Sequence, residues 1–449
     1  MPTTRRDFLG AGTLAAGLLG CGLRPAVAAP GDAPAPAGGG EPPPPRPVVT
    51  PDGTTLGHRL VDGVKVMHLV AEEVEHEFAP GLVARCWGYN GRVHGPTIEA
   101  VEGDRLRVYV TNRLPAPTTV HWHGLHVANG FDGVSGLTQP AIPPGATFVY
   151  ELPLTQHGTF MYHSHHDEMV QMAMGLMGMF VVHPRRPTSP PPDRDYAYLL
   201  SEWSVDAGLR RPDPNEMSDF NVLTFNGRVF PGTTPMVARR GERVRIRIGN
   251  LSATDHHPIH VHGHSVEVVA TDGGDVPAAG RWPETTVLVP TGSVRVLEFV
   301  ADHPGDWAVH CHMTHHTMNQ MGHGLPNLLG TDAAAFDAAV RRHLAPGGGA
   351  GASAVEPLPN AIPMLGAAGP HGYVHMGGMF TVLKVRDALV GDAAPGWYEA
   401  PPGTTAAPAT AEALARDGID LRVVPPPDRP RAPAPAPPPP GHGHHHGGG

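Results

Sequence analysis

One feature constrains this chain before any other: it repeats itself, and the repeat carries the period of a β-strand. Asn90-Gly91-Arg92-Val93 returns as Asn226-Gly227-Arg228-Val229, and "GDRLRVYVTN" from Gly103 returns as "GERVRIRIGN" from Gly241. "TTVHWHGLH" from Thr118 returns as "HPIHVHGHS" from His257, and "GTFMYHSHH" from Gly158 returns as "GDWAVHCHM" from Gly305. The offsets are 136, 138, 139 and 147 residues, always in the same order. Four ordered matches mean a duplicated unit. Strict alternation of apolar and charged residues means half-buried strands, because side chains on a strand alternate between its faces. Gly and Pro make up 57 and 53 of 449 residues, which favours turns over long helices. The expectation is an all-β protein of two tandem Greek-key sandwiches, over 51–190 and 195–390. The stretch 322–370 has no counterpart in the first copy and reads as an insertion, with a last strand from Met379 to Val385.

The ends read differently. Arg5-Arg6-Asp7-Phe8-Leu9 and the apolar run that follows form a twin-arginine export signal over 1–28, too short to span a membrane as a mature helix. Ala26-Val27-Ala28 resembles a signal-peptidase site, giving a soluble periplasmic or secreted protein. Leu18-Leu19-Gly20-Cys21 resembles a lipoprotein box, giving an alternative lipid anchor at Cys21. Residues 29–50 are a Pro/Ala/Gly-rich linker, and 401–449 a Pro-rich tail ending in histidines, expected to be disordered. A formal charge of −10 argues against nucleic acid or an anionic membrane surface as partner.

Thirty histidines turn attention to metal. Each repeat supplies two His-x-His pairs: His121/His123 and His163/His165, then His260/His262 and His310/His312. Residues i and i+2 of a strand face the same way, roughly 6.5–7 Å apart, so each pair offers two imidazoles to one side. A lone pair of this kind is ordinarily a solvated or satisfied core feature; four at equivalent places in two repeats point to ligands. Imidazoles without a carboxylate-rich set suit copper or zinc, not calcium or magnesium. Cys311 lies between His310 and His312 and so projects from the opposite face. His316 and Met321 follow it at spacings of five and ten, and His257 precedes the second repeat's first pair. Two His, one Cys and a weak Met make a blue-copper electron-transfer site. With Cys21 in the leader and Cys311 committed to metal, Cys86 reads as a small buried strand residue, leaving no disulfide.

His121-Trp122-His123-Gly124, His163-Ser164-His165, His257-Pro258-Ile259-His260-Val261-His262 and His310-Cys311-His312-x3-His316-x4-Met321 resemble the four copper motifs of the multicopper oxidases, whose domains are cupredoxin-like. The resemblance implies four coppers. Type 1 copper takes His257, Cys311, His316 and axial Met321. Type 2 takes His121 and His260. The type 3 pair takes His123, His163 and His312 on one side and His165, His262 and His310 on the other. It implies an electron donor (a reduced metal ion such as Cu(I), or a phenol), O2 as acceptor, and Cys311 with its flanking histidines as the electron path. Asp132 stands at the family's "DG" position as a candidate carboxylate near type 2 copper, with a plain turn role as the alternative. His315 is left as a surface residue. Laccases often carry an acid two positions after the HCH motif, where this chain has Thr314; Asp167 or Glu168 is the expected substitute.

Only about 90 residues separate His165 from His257, too few for an intervening domain. The chain therefore resembles the two-domain small laccases, which implies a homotrimer. In the first repeat Ser164, Thr118 and Met169 replace Cys311, His257 and His316, and Met174 alone matches Met321, so one type 1 site per chain is expected. Clustered methionines after the third and fourth pairs, Met169 to Met179 and Met313 to Met321, together with Met364, Met376 and Met379, favour Cu(I) as donor. Packing of core gaps is their plainer role. Copper nitrite reductase and a copper-sequestering periplasmic protein are the competing readings.

Overall fold

A computed structural model describes residues 45–206, 210–318, 366–391 and 393–423. The export signal, Cys21, Met321, Met364, most of the 322–370 insertion and the terminal histidines lie outside the described residues.

The repeated sequence becomes repeated topology. In the first copy Val64–Ala79 runs parallel to Arg105–Asn112, which continues antiparallel into Thr147–Pro153; Leu82–Tyr89 pairs with the other edge of Val64–Ala79. The opposing sheet is Ile98–Val101, Met177–His183 and Gly158–His163. In the second copy Arg194–Trp203 runs parallel to Arg243–Asn250, which continues into Val294–Val300 and Val266–Thr271. Its opposing sheet orders Met236–Arg239, Phe380–Arg386, Gly305–Cys311, His257–Val261 and Thr286–Val289. Hairpin pairs alternate with long crossovers between strands distant in sequence, such as Val64–Ala79 with Arg105–Asn112 and Arg194–Trp203 with Arg243–Asn250, as Greek-key connections require. The last strand sits one residue later than its apolar pattern suggested.

The two Asn-Gly turns show why that dipeptide recurs. Asn90 and Gly91, then Asn226 and Gly227, all have positive φ (53°, 76°, 51°, 74°), the conformation of a tight hairpin turn. Each Asn also locks its turn to the sheet: Asn90 Oδ1 accepts from Val70 N at 2.9 Å and Asn226 Oδ1 from Leu199 N at 2.7 Å.

Alternation is obeyed in Arg105–Asn112, where Leu106, Val108 and Val110 are fully buried and Arg105 and Tyr109 are exposed. It fails in Arg243–Asn250, whose second half is buried on both faces. The first repeat covers that outer face. Met161, Met177, Met179 and Val181 pack there against Ala197, Leu199, Val294 and Val296. Arg247 is caught beneath them and is satisfied by a bidentate pair with Asp195 (2.7 and 2.8 Å) and by Thr159 Oγ1 of the first repeat. Each sandwich keeps its own apolar core, and a second shared cluster places Trp203 and Val205 against Phe78, Leu82 and Cys86. Cys86 is a free, buried strand residue, as expected. Among the described residues, no helix is long and apolar enough to cross a membrane.

Candidate metal centre

The second repeat buries a three-donor pocket. His257 ends the loop entering His257–Val261, Cys311 closes Gly305–Cys311, and His316 sits on a 3-10 turn over Thr314–Thr317. All three have no solvent exposure. The two Nδ1 atoms are 3.1 Å apart, and Cys311 Sγ lies 3.2 Å from His316 Nδ1 and 3.7 Å from His257 Nδ1. One ion with bonds of about 2.0–2.3 Å spans that spacing. The outer nitrogen of His257 is held by Ser252 Oγ at 2.6 Å, while Asp255 Oδ2 faces His316 Nε2 at 3.5 Å, beyond a good hydrogen bond. Burial, and then the neighbouring His316, push the His257 pKa down to about 3, so its lone pair is free for a metal. Burial pushes the Cys311 thiol up to about 12, so only a bound cation would make it a thiolate near neutral pH. A soft thiolate with two imidazoles fits copper.

The flanking histidines face the other way, as the strand period requires. Cys311 joins the apolar core while His310 and His312 meet His260 and His262. His260 lies 4.5, 5.7 and 5.5 Å (ring centroids) from His262, His310 and His312. The first repeat builds the same quartet: His121 lies 5.7, 5.3 and 5.5 Å from His123, His163 and His165. Both quartets orient their rings alike. His163 Nδ1 donates to the Ser164 carbonyl at 2.9 Å, and His310 Nδ1 to the Cys311 carbonyl at 2.8 Å. His121 Nδ1 and His260 Nδ1 meet the carbonyls of Asp132 and Thr285 at 2.7 and 2.6 Å. Their Nε2 atoms are thereby left for a ligand. Burial lowers the pKa of His163 to about 3 and of His310 to about 4, which keeps both rings neutral. In one respect the strand argument was too simple: His165, His262 and His312 lie just beyond the strands that hold their partners, and His121 and His123 lie on a loop segment bridged to the His163 strand at His121. The quartets open to solvent, His312 being exposed. Among the described residues, each quartet's ring contacts to other quartet histidines stay within its own repeat.

Comparison with known proteins agrees with this geometry. Residues 71–187 and 206–328 each match the family model of multicopper oxidases, together just over half of the chain. The chain belongs to the multicopper oxidase family. A blue copper oxidase of Nitrosomonas europaea has a similar structure, with a TM-score of 0.54, 26% identity, and coverage of 71% of this chain and 85% of that one. Copper resistance protein A of Pseudomonas syringae pv. tomato is 28% identical over 41% of this chain and 38% of its own length. A probable nitrite reductase-hydroxylamine oxidoreductase fusion protein of Kuenenia stuttgartiensis is 28% identical over 58% of this chain and 31% of its own. The chain thus spans well under half the length of either curated relative.

As a multicopper oxidase the chain shows several features its motifs did not reveal. Asp132 touches His121 mainly through its backbone carbonyl; its carboxylate is farther, at 3.5 Å. Its turn role is real as well, for Gly133 has φ +88° and a Cβ there would sit 1.9 Å from the Val120 carbonyl. Glu168 lies 3.6 Å from both His163 Nδ1 and His165 Nε2, while Asp167 caps the short helix Glu168–Ala173. His315 is exposed. Beside the first quartet is a cavity of about 540 Å³ reaching Met169, Met172, Met217, Glu202 and Thr254. Met177, Met179 and Met379 are buried in the apolar clusters, Met177 also lining the cavity, while Met174 is buried with its sulfur 3.8 Å from Arg211. Motif reading missed Ser252, Asp255 and Gln171; Gln171 is a fully buried amide inside an otherwise apolar run, which is the signal that would have found it.

Proposed function

We propose that this chain is an exported multicopper oxidase that takes electrons one at a time from a donor and delivers four to O2. The observation that carries this reading is the placement of Cys311: its sulfur faces the buried His257/His316 pair while His310 and His312, one residue to either side, face the second quartet. A single peptide segment joins an electron-entry site to an oxygen site. Copper, when bound, supplies the one-electron chemistry at the thiolate site and four-electron reduction of O2 to water at the histidines. His257, Cys311 and His316 would hold the type 1 ion in their buried pocket, with Met321 as the further ligand that the family resemblance implies. His121 and His260 are assigned to type 2 copper, His123, His163 and His312 to one type 3 ion, and His165, His262 and His310 to the other. Glu168, 3.6 Å from both His163 Nδ1 and His165 Nε2, is our candidate for proton delivery to this cluster, standing in for the acid absent at Thr314.

Each subunit offers two open half-sites of four histidines. Joining the first-repeat quartet of one subunit to the second-repeat quartet of the next, around a closed ring of three, completes every cluster, so the working form is a homotrimer. Export follows the twin-arginine signal, to a soluble periplasmic or secreted form or to a lipid anchor at Cys21.

For the donor we favour Cu(I), in copper tolerance, with phenol oxidation as a weaker activity. Met169, Met172 and Met217 bring thioethers to the cavity, together with the Glu202 carboxylate. Glu202 accepts from Thr254 N at 2.7 Å, next to Asp255 and hence to His316, which gives the cavity a short route to the type 1 site. A copper nitrite reductase would place its thiolate in the first repeat, where Ser164 stands, and has no use for eight histidines. A sequestering protein has no use for the Cys311 connection. The test is oxygen uptake by the copper-loaded protein with Cu(I) and with 2,6-dimethoxyphenol, repeated after Met169, Met172 and Met217 are changed to Leu. A selective loss with Cu(I) is expected. Preference for the phenol, with Cu(I) turnover unchanged in the triple variant, would leave a plain laccase.

A further inference from the structure

The first repeat keeps the pocket of the mononuclear site without its donors. Thr118 stands where the second repeat has His257, and Ser164 where it has Cys311. Gln171 fills the space between them. Its Oε1 accepts from Thr118 Oγ1 at 2.7 Å and from Ser164 Oγ at 2.6 Å, and its Nε2 donates to the Pro117 carbonyl at 2.7 Å. The amide is about 1% exposed, and all of its hydrogen-bonding positions but one are used. Ser164 is the residue between His163 and His165, and Thr118 lies on the segment leading to His121. That segment and the His163 strand are themselves bridged by His121 N to His163 O at 2.8 Å.

Resting on the proposed copper assignment, we infer that Gln171 is a positioning residue: it cross-links, from behind, the two segments that carry the first histidine quartet. In the second repeat the type 1 ion would do the same work, tying the His257 segment to Cys311 behind His260, His262, His310 and His312. In the first repeat a neutral three-bond clamp takes its place, so that quartet is preformed without metal at its back. A donor set held by such outer contacts binds its ion more tightly, and losing one typically weakens metal retention by about 10–100-fold. The clamp also accounts for the identities at Thr118 and Ser164, two buried hydroxyls whose common acceptor is this one amide oxygen.

The experiment is chelator competition on the copper-loaded trimer, reading copper per chain by elemental analysis and the copper–thiolate absorbance as an internal control. Gln171→Leu fills similar volume without hydrogen bonds, and is expected to release quartet copper at about 10–100-fold lower chelator while the thiolate absorbance stays unchanged. Thr118→Val, nearly isosteric, keeps the experiment readable should Gln171→Leu fold poorly; it is expected to shift release in the same direction by less. Gln171→Glu, whose protonated form reproduces all three bonds, should restore retention. The double variant Gln171→Leu/Thr118→Val should be no worse than Gln171→Leu, because both remove one clamp. Unchanged retention in Gln171→Leu, or parallel loss of quartet copper and thiolate absorbance, overturns the inference. A wild-type protein that holds quartet copper yet reduces no oxygen refutes the proposed activity and leaves the clamp standing.

Discussion

The hydrogen bond from His257 to Ser252 allows a quantitative prediction. Binding an ion through Nδ1 forces the proton onto Nε2, which then donates to Ser252 Oγ at 2.6 Å in a fully buried site. Ser252→Ala leaves that N–H without a partner, at a cost of about 1–3 kcal/mol. The metal-free protein escapes much of this cost, since the imidazole is free to carry its proton on Nδ1 and point it at His316 Nδ1, 3.1 Å away. The difference therefore falls on copper affinity. We expect type 1 copper to bind about 10–100-fold more weakly, or roughly 1.4–2.7 kcal/mol. Asp255→Asn is the internal comparison: its carboxylate is 3.5 Å from His316 Nε2, beyond a good hydrogen bond, so its loss should cost less than tenfold. The assay is a chelator titration followed by copper–thiolate absorbance, with quartet copper measured in parallel. Equal midpoints for wild type and Ser252→Ala, or a larger effect from Asp255→Asn, would refute the claim that ring orientation here depends on Ser252.

Further outcomes follow from the same geometry. Cys311→Ser should abolish the intense visible absorption and oxygen uptake together while both quartets keep their copper; a colourless but fully active variant would remove Cys311 from the electron path. Light scattering with parallel oxygen-uptake measurements on dilution should show activity lost as the trimer dissociates, and an active monomer would contradict the shared cluster. Buried His76 and His94 have pKa values lowered to about 4 and about 3, chiefly by desolvation, against 6.5 when unfolded. The unfolded chain thus takes up protons first as pH falls, so stability is full above about 6.5 and declines through the window down to those values. Melting midpoints of the metal-free protein should fall across that range, less steeply in His94→Phe; an identical slope would exclude His94 as a contributor. Arg247→Ala strands Asp195 between the repeats, relieved only by Arg245 at 3.7 Å, and should cost about 3 kcal/mol in denaturant unfolding.

How much of this was legible in the sequence depends on how local each cause is. Ligand chemistry is local: His-x-His on a strand end and Cys311 between two histidines dictate opposite faces whatever surrounds them, and both quartets and the buried triad follow. The Asn-Gly turns and the alternation of Arg105–Asn112 are local too. The second half of Arg243–Asn250 was not legible, because alternation reports the face a strand turns to its own core and nothing about what covers the other. Arg247 looked like a solvated residue and is a buried contact between repeats. Methionines divide the same way: their spacing from the motifs allowed either metal or core packing, and in the structure Met179 fills the seam between sandwiches while Met177 lies in that seam and also lines the cavity, with Met169, Met172 and Met217. Residues Met321 and Met364 lie outside what the structure describes.

The two repeats match in the contacts that orient their quartets and differ in what stands directly behind them, and that contrast has a physical reading. A quartet needs its four rings held at fixed spacing, with Nδ1 anchored and Nε2 free; both copies achieve this with the same carbonyl contacts. Behind the quartet each copy needs something to brace the two segments, and two chemically unlike solutions serve: three metal donors in one, and Gln171 with two hydroxyls in the other. On the proposed copper assignment, only the metal-based brace would carry electrons. A chain whose first copy kept a thiolate in place of Ser164 would give electrons a second entry. With the amide clamp in that place, the proposed electron path enters through Cys311. The two repeats hold their histidines alike, and on the proposed assignment it is the difference in brace that sets the direction in which the chain is wired.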